Sequence, residues 1–266
     1  MFILDPISLP VKVEFSTCLC CDKIATYAPV AQLDRVLVSE AKGHWFESSR
    51  ARHLATGIDS VQTKEHWEQV YTAKATDSVS WYQAHAEQSL RLIRGTGIPH
   101  SASIIDVGGG ASTLVDDLLH DGYSDLTVLD VSASALVTAK ERLGPLSGKV
   151  AWLEADILGA RLPRHAFDLW HDRAVFHFLT SPDERNAYVK AVLDAVKPGG
   201  HVIVATFAED GPLQCSGLPV MRYSANALHA EFGTPFTLLK HEKEEHHTPL
   251  GAIQKFVYCY CRKSGS

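Results

Sequence analysis

Methionine is almost missing from these 266 residues, occurring only as Met1 and Met221, and no run of eighteen apolar residues exists. A chain without such a run has no segment that reads as a membrane-spanning helix, so no membrane partner is expected. An excess of positive charge is missing too. Twenty-five Lys and Arg against 31 Asp and Glu leave a net charge of -6, which argues against a nucleic acid held through its phosphates. Cysteine is sparse and badly spaced for metal. Cys18, Cys20 and Cys21 form "CLCC" and Cys259 and Cys261 form "CYC", with Cys215 alone. Cys18 and Cys21 have Cys-x2-Cys spacing, but no second such pair and no regularly spaced His ligands accompany them, and no metal site is expected. A secretory signal is also lacking: Asp5 and Pro6 break the opening apolar stretch, and the first lysine, Lys12, follows it. That order is wrong for export, so the expected location is the cytoplasm and a disulfide framework is not expected.

What is present, from about Val61 onward, is an alternation of short apolar runs and helical patterns. "ASIIDVGGG" is an apolar run ending in glycines and predicts a buried parallel strand. "STLVDDLLHDG" predicts a helix with Ser112 as cap and Gly122 as stop. "DLTVLDV", "VAWLEADIL", "AFDLWHD" and "HVIVATF" predict four further strands. Between them lie "SASALVTAKERLG", capped by Ser132 or Ser134, and "SPDERNAYVKAVLDAVKPGG", with Ser181 as cap, Pro182 at its first position and Pro198-Gly199-Gly200 as exit. Strands separated by helices imply right-handed crossovers and a parallel sheet. Two alternating runs, "FTLLKHEKEEH" and "IQKFVYCYCRK", flank a turn with Pro249 and Gly251 and predict an antiparallel pair. The expected fold is α/β: a doubly wound, mostly parallel, seven-stranded sheet closed by that C-terminal pair.

Open parallel sheets bind ligands beyond the carboxyl ends of their strands. The first strand ends in "DVGGGAST", Asp106 to Thr113. Glycines there let a backbone approach a ligand, and the next helix turns its positive end toward an anion. A plain tight turn would also use these residues. So would a dinucleotide site, although Thr113 stands where such a loop wants its third glycine, and Asp106 would repel a pyrophosphate. A ligand with both an amino group and a carboxylate suits the acid and the helix end better. The second strand ends at Asp130, 20 residues after Gly110, where a carboxylate can accept both ribose hydroxyls. The third ends in "EADIL", where Asp156 can accept from an adenine amino group while Ile157 packs on the ring. Each acid alone could be a solvated loop residue; three in order at successive strand ends form a pattern.

The stretch 104–207 resembles the class I, Rossmann-like S-adenosylmethionine-dependent methyltransferases. "IIDVGGGAS" is similar to their first motif, "LDVSASAL" to the second, "EADIL" to the adenine motif, and "FDLWHDRAVFHFL" and "VKPGGHVIVATF" to the fourth motif and the strand after it. The resemblance implies S-adenosylmethionine as cofactor, with Asp106, Gly108 and Gly110 at its methionine end, Asp130 and Ser132 at its ribose, and Asp156 and Ile157 at its adenine. It covers about half the chain and implies no particular acceptor; a protein lysine or a small molecule is expected. A nicotinamide-dependent oxidoreductase and a non-catalytic module that only binds S-adenosylmethionine are the alternatives.

Methyl transfer from a sulfonium is an in-line displacement in which the protein aligns the nucleophile and excludes water. "WHDRAVFHFL" is the candidate reaction edge. It partly resembles the "D-K-G-T-F/W-D" stretch of the elongation-factor and citrate-synthase lysine methyltransferases, matching in Asp172, the basic Arg173 and the aromatic Phe176, and departing at Ala174 and His177. Asp172 could orient or help deprotonate an amine, and His171 or His177 could take a proton near neutral pH. His177 could equally be a packed helix residue, and Arg173 an ion-pair partner rather than a substrate contact. Ahead of the sheet, "EHWEQVYTAKATDSVSWYQ" reads as a lid: Trp67 is placed against the cofactor, and Trp81 and Tyr82 on the acceptor side. An amphipathic helix packing by its aromatics is the other reading. Cys215 is expected as a wall of the site, since no covalent intermediate is needed.

The expected division is a methyltransferase domain over 61–266, with a lid and helical segment at 61–100 and a core at 101–266, after a non-domain, disordered extension at 1–60. That extension carries a second pattern. "Trp-Phe-Glu-Ser" can be encoded by TGG-TTC-GAG-TCC, which contains the usual T-arm of a tRNA gene. "Ala-Pro-Val-Ala-Gln-Leu-Asp-Arg" can be encoded by a tRNA 5′ end with its D-arm, and "Arg-Ala-Arg-His" by a strand complementary to that opening. Residues 1–60 are therefore expected to be the conceptual translation of an upstream tRNA gene and its flanks, without stable packing onto the sheet.

Overall fold

The computed structural model describes residues 64–265. The expected extension over 1–60, its reading as translated tRNA sequence, and the first residues of the expected domain lie outside the described residues. No helix among the described residues is long and apolar enough to cross a membrane.

Two helices precede the sheet, α1 (Lys64–Ala73) and α2 (Glu87–Gly95). In α2, Leu90 and Ile93 are buried on one face as their spacing requires, and Ser89 is buried beside them. The alternation then runs β1 (Ser103–Val107), α3 (Leu114–His120), β2 (Asp125–Asp130), α4 (Ala133–Leu143), β3 (Val150–Glu154), β4 (Phe167–Arg173), α5 (Pro182–Ala195) and β5 (Val196–Phe207). A short hairpin, β6 (Gln214–Cys215) and β7 (Leu218–Pro219), and helix α6 (Ala225–Phe232) lead to β8 (Phe236–His247) and β9 (Ile253–Lys263).

The main sheet has seven strands in the order β3-β2-β1-β4-β5-β9-β8. The first five pair in parallel, and β9 pairs antiparallel with both β5 and β8. The expected doubly wound sheet with its antiparallel pair is therefore present. Apolar side chains fill two cores, and β1 is buried from Ile104 to Val107 because the sheet is covered on both faces. Fully burying one such Ile or Leu contributes about 1.5–3 kcal/mol.

Helix starts follow the expected chemistry with one shift. Ser132 Oγ accepts from the Ala135 amide at the start of α4. Ser181 and Glu184 close a reciprocal capping box around Pro182 on α5. At α3 the cap is Thr113, and Ser112, one residue earlier, accepts from the Leu114 amide at 3.1 Å. The expected exit at Pro198-Gly199-Gly200 lies inside β5, which starts at Val196. The register of β4 on β5 shifts there, between Phe167 and Leu169. A Cβ on Gly200 would come within 2.7 Å of Val196 Cγ1 and 2.9 Å of Lys197 O, so this glycine serves an irregular strand rather than a helix end.

Candidate active site

The strand order reverses direction between β1 and β4, and the turns at the carboxyl ends of β1 to β4 surround two adjoining cavities of about 710 and 570 Å³. Tyr71, Trp81, Gly108 and Arg173 line both. Such a reversal is where an open α/β sheet leaves room for a ligand.

The glycine turn is built tightly. The Gly108 amide donates to Leu129 O at 2.7 Å. A Cβ on Gly108 would lie 2.0 Å from a Val175 methyl, one on Gly109 2.5 Å from Asp106 Oδ2, and one on Gly110 2.5 Å from Asp130 Oδ2. Gly108 and Gly110 also hold φ of +68° and +33°, which only glycine adopts without strain. The three glycines thus keep the carboxylates of Asp106 and Asp130 close to the loop.

Asp106 is buried and its Oδ1 accepts from His171 Nδ1 at 2.7 Å. His171 Nε2 lies 2.9 Å from Ser89 Oγ. Asp130 is buried, accepts from the Ser132 amide at 2.8 Å, and is pushed up to about 7 mainly by burial. Asp156 is exposed at the cavity mouth beside buried Ile157. The larger cavity is thus lined by Asp130, Asp156, Ile157, Trp67, Trp81 and Arg173, and the smaller by Asp106, His171, Tyr82, Trp81 and Arg173.

Residues 104–200 match the family described as "Methyltransferase domain". Over 165 residues the chain is 25% identical to "EEF1A lysine methyltransferase 2" of Homo sapiens, covering 55% of this chain and 68% of that protein. Over 157 residues it is 26% identical to "Thiocyanate methyltransferase 1" of Arabidopsis thaliana, covering 58% and 66% respectively. A structure solved for the conversion of a disulfide bond into a thioacetal group in echinomycin biosynthesis shares the fold, with a TM-score of 0.65 at 18% identity, covering 77% of this chain and 94% of that one.

This chain is a class I S-adenosylmethionine-dependent methyltransferase. The nicotinamide alternative is set aside with that membership. S-adenosylmethionine is the methyltransferase's cofactor, and the groups around the cavities suit it. Asp130 Oδ2 stands at the loop as an acceptor for hydroxyl donors, Asp106 keeps a carboxylate oxygen on the glycine side, and the backbone of Gly108 to Gly110 packs so closely on Val175, Asp106 and Asp130 that no Cβ fits there.

Not every expected residue of the methyltransferase reaches the cavities. Asp172 is completely buried and lines neither cavity; its carboxylate accepts from the Val175 and Phe176 amides and from the Tyr188 hydroxyl at 2.8, 3.0 and 2.5 Å. Burial pushes it up to about 6 against those bonds. His177 is also completely buried, packed between Phe178 and Phe207. Burial, with the nearby Arg173 charge, pushes it down to about 3, so the ring is neutral. The fold thus corrects both as reaction-edge groups: along a strand successive side chains alternate in face, and Asp172 points away from the side that Arg173 and His171 share.

Trp67, Tyr71, Trp81 and Phe178 form one aromatic cluster, with ring centroids 5.2–6.4 Å from Trp67. Cys215 is a buried wall residue whose thiol burial pushes up to about 12. Four contributors were not singled out by sequence: Glu68, which binds the start of α4, and Ser89, Glu244 and Tyr258, which connect behind His171 and Arg173. The only sequence signal among them is Ser89, a polar residue on the apolar face of α2.

Proposed function

We propose that this methyltransferase seats S-adenosylmethionine with its methionine end at Asp106, Gly108 and Gly110, its ribose at Asp130 and Ser132, its adenine between Asp156 and Ile157, and Trp67 over it. The acceptor, a protein lysine or a small molecule, enters beside Arg173, Trp81 and Tyr82. The observation that supports this is the meeting of three acids from successive strand ends, Asp106, Asp130 and Asp156, on two adjoining cavities around one glycine turn. The cofactor supplies a methyl group on a positively charged sulfur. The protein's part is to align and to keep water out, and the aromatic cluster of Trp67, Tyr71, Trp81 and Phe178 offers faces that favour a cation. Residues 61–100 act as the lid, 101–266 as the core, and 1–60 lie outside the working domain. The enzyme works in the cytoplasm in this reading.

The names of two relatives point to acceptors of opposite charge, a lysine and thiocyanate. Calorimetry with S-adenosylhomocysteine and with NAD tests the seat: heat is expected with the first and none with the second. A tritiated-methyl assay on cell lysate, separated into protein and small molecules, tests turnover. Binding without any transfer would leave the non-catalytic module instead.

A further inference from the structure

Arg173 closes β4 where the two cavities meet. Its side chain is only 9% exposed, and its guanidinium carbon lies 4.1 Å from the centre of the Phe256 ring. Nε donates to Tyr258 at 3.2 Å and to Glu244 Oε2 at 3.3 Å, and Nη2 donates to the same oxygen at 3.3 Å. Glu244 is shared: it also accepts from Gln83 at 2.6 Å and from Tyr258 at 2.9 Å. Nη1 donates to no group among the described residues. A guanidinium does not lose its proton in a protein, so the junction holds a permanent guanidinium, ion-paired with Glu244 and with Nη1 to spare.

The acids lining the cavities are Asp106, Asp130 and Asp156, all at the ends of the cofactor-side strands β1 to β3. Around Arg173 the lining is Ala174, Val175, Phe178, Trp81, Tyr71 and Cys215, and the carboxylate against the guanidinium is Glu244, which is already ion-paired with it and lines neither cavity. Groups that could remove a proton are engaged elsewhere. Asp172 and His177 face the core, both nitrogens of His171 have partners, and Cys215 stays a thiol. An ammonium brought here would lose its water beside a guanidinium, and the nearest carboxylate, Glu244, is already shared among Arg173, Gln83 and Tyr258.

We infer that the acceptor reacts as an anion, a small organic thiolate held by Arg173 within the aromatic cluster. This rests on the methyl-transfer reading above. The acceptor gives up its proton to water before reaction. Its sulfur electron pair then forms the new bond to the methyl carbon while the bond from that carbon to the sulfonium breaks, leaving its pair on the departing sulfur. A methyl thioether and S-adenosylhomocysteine result, and no proton moves in the step. Arg173 increases the ionised fraction of the bound thiol, as cations do for protein thiols.

The test uses the full chain with tritiated S-adenosylmethionine and, as acceptors, thiophenol, 2-mercaptoethanol, hydrogen sulfide and Nα-acetyl-lysine methylamide. Transfer to at least one thiol and not to the lysine compound is expected. For 2-mercaptoethanol the pH midpoint of kcat should lie roughly one unit below the free thiol's own pKa. Arg173→Gln should lower thiol turnover about 100-fold while S-adenosylhomocysteine affinity stays within about threefold, and Arg173→Lys should recover part of the turnover. The pH midpoint needs no variant, so it holds if Arg173→Gln fails to fold. Binding of S-adenosylhomocysteine without thiol turnover, or faster transfer to the lysine compound or to lysate protein, overturns the inference. So does a loss of S-adenosylhomocysteine affinity in Arg173→Gln as large as its loss of turnover. Absence of S-adenosylhomocysteine binding to the unaltered chain refutes the cofactor seat instead.

Discussion

The Glu68 carboxylate accepts from the Ala133 and Ser134 amides at 2.6 and 3.2 Å, tying α1 to the start of α4 just beyond Asp130. Free N–H groups and a positive dipole end make that position favourable for a carboxylate by about 0.3–2 kcal/mol. Burial pushes the Glu68 carboxyl up, but the bonds from Ser134 and Ala133 outweigh it and hold it below its ordinary value. Glu68→Ala should therefore loosen the helix over the ribose-side loop. The expected result is a roughly 3- to 30-fold weaker S-adenosylhomocysteine affinity by calorimetry, with a melting temperature that changes little. Unchanged affinity would mean that the tie does not serve the cofactor.

Ala174 adopts φ of +77°, and its amide donates to Ala205 O at 2.9 Å. The lysine methyltransferases that this stretch partly resembles carry glycine at that place. A left-handed non-glycine residue costs about 1–2 kcal/mol, and glycine would add about 0.5–1 kcal/mol of unfolded-state entropy. Ala174→Gly should thus be neutral or stabilise by up to about 1 kcal/mol, whereas Ala174→Val should lower the urea midpoint clearly. A marked loss of stability in Ala174→Gly would show that the turn is not strained.

The sheet was legible because β1 and β2 are short, largely apolar runs closed by glycine or aspartate, and because Ser132 and Ser181 are strong helix caps. The β5 start was misread because Pro198-Gly199-Gly200 suits a helix exit, while the register shift that needs Gly200 comes from pairing with β4. In "WHDRAVFHFL" the polar residues cluster in sequence but divide between faces. The period of two already separates Asp172 from His171 and Arg173. What no sequence pattern gives is register: Asp106 lies opposite His171, and that pairing decides which histidine meets the first-motif acid.

In the proposed seat Asp130, pushed up to about 7 by burial, should make cofactor binding depend on pH. Its ionised form would accept ribose hydroxyls there, so binding should favour the deprotonated state. S-adenosylhomocysteine affinity should rise as pH increases from 6 to 8, approaching a tenfold change per unit only well below 7. The sign for stability is opposite in the free protein. A carboxyl raised in the folded state makes the fold bind more protons than the unfolded chain between the ordinary carboxyl range and about 7. Its contribution therefore weakens as pH rises through that window. Thermal shift by S-adenosylhomocysteine should be larger at pH 8 than at pH 6, and Asp130→Asn should remove most of that difference. A shift independent of pH in the unaltered chain would place the ribose elsewhere.

His171 touches Asp106 through Nδ1 and Ser89 through Nε2, and Ser89 Oγ lies 3.4 Å from the Tyr258 hydroxyl. Both ring nitrogens thus have protein partners, and His171 is expected to act as a positioning residue that fixes the first-motif carboxylate rather than as a base. His171→Phe strands Asp106 and Ser89 in a buried place, at about 1–3 kcal/mol for each unpaired group; His171→Asn can still donate to Asp106 and is the milder change. With His171→Asn, KM for S-adenosylmethionine should rise about tenfold while kcat stays within about threefold, since uniform binding is lost and the transition state loses nothing extra. A proton-accepting role would give the reverse: kcat would fall by 100-fold or more, KM would hold, and the acidic limb of the kcat profile would disappear. Ser89→Ala, which frees Nε2 alone, should fall between the unaltered enzyme and His171→Asn in KM. A Ser89→Ala enzyme with KM unchanged and kcat sharply reduced would instead show that His171 moves a proton through the serine.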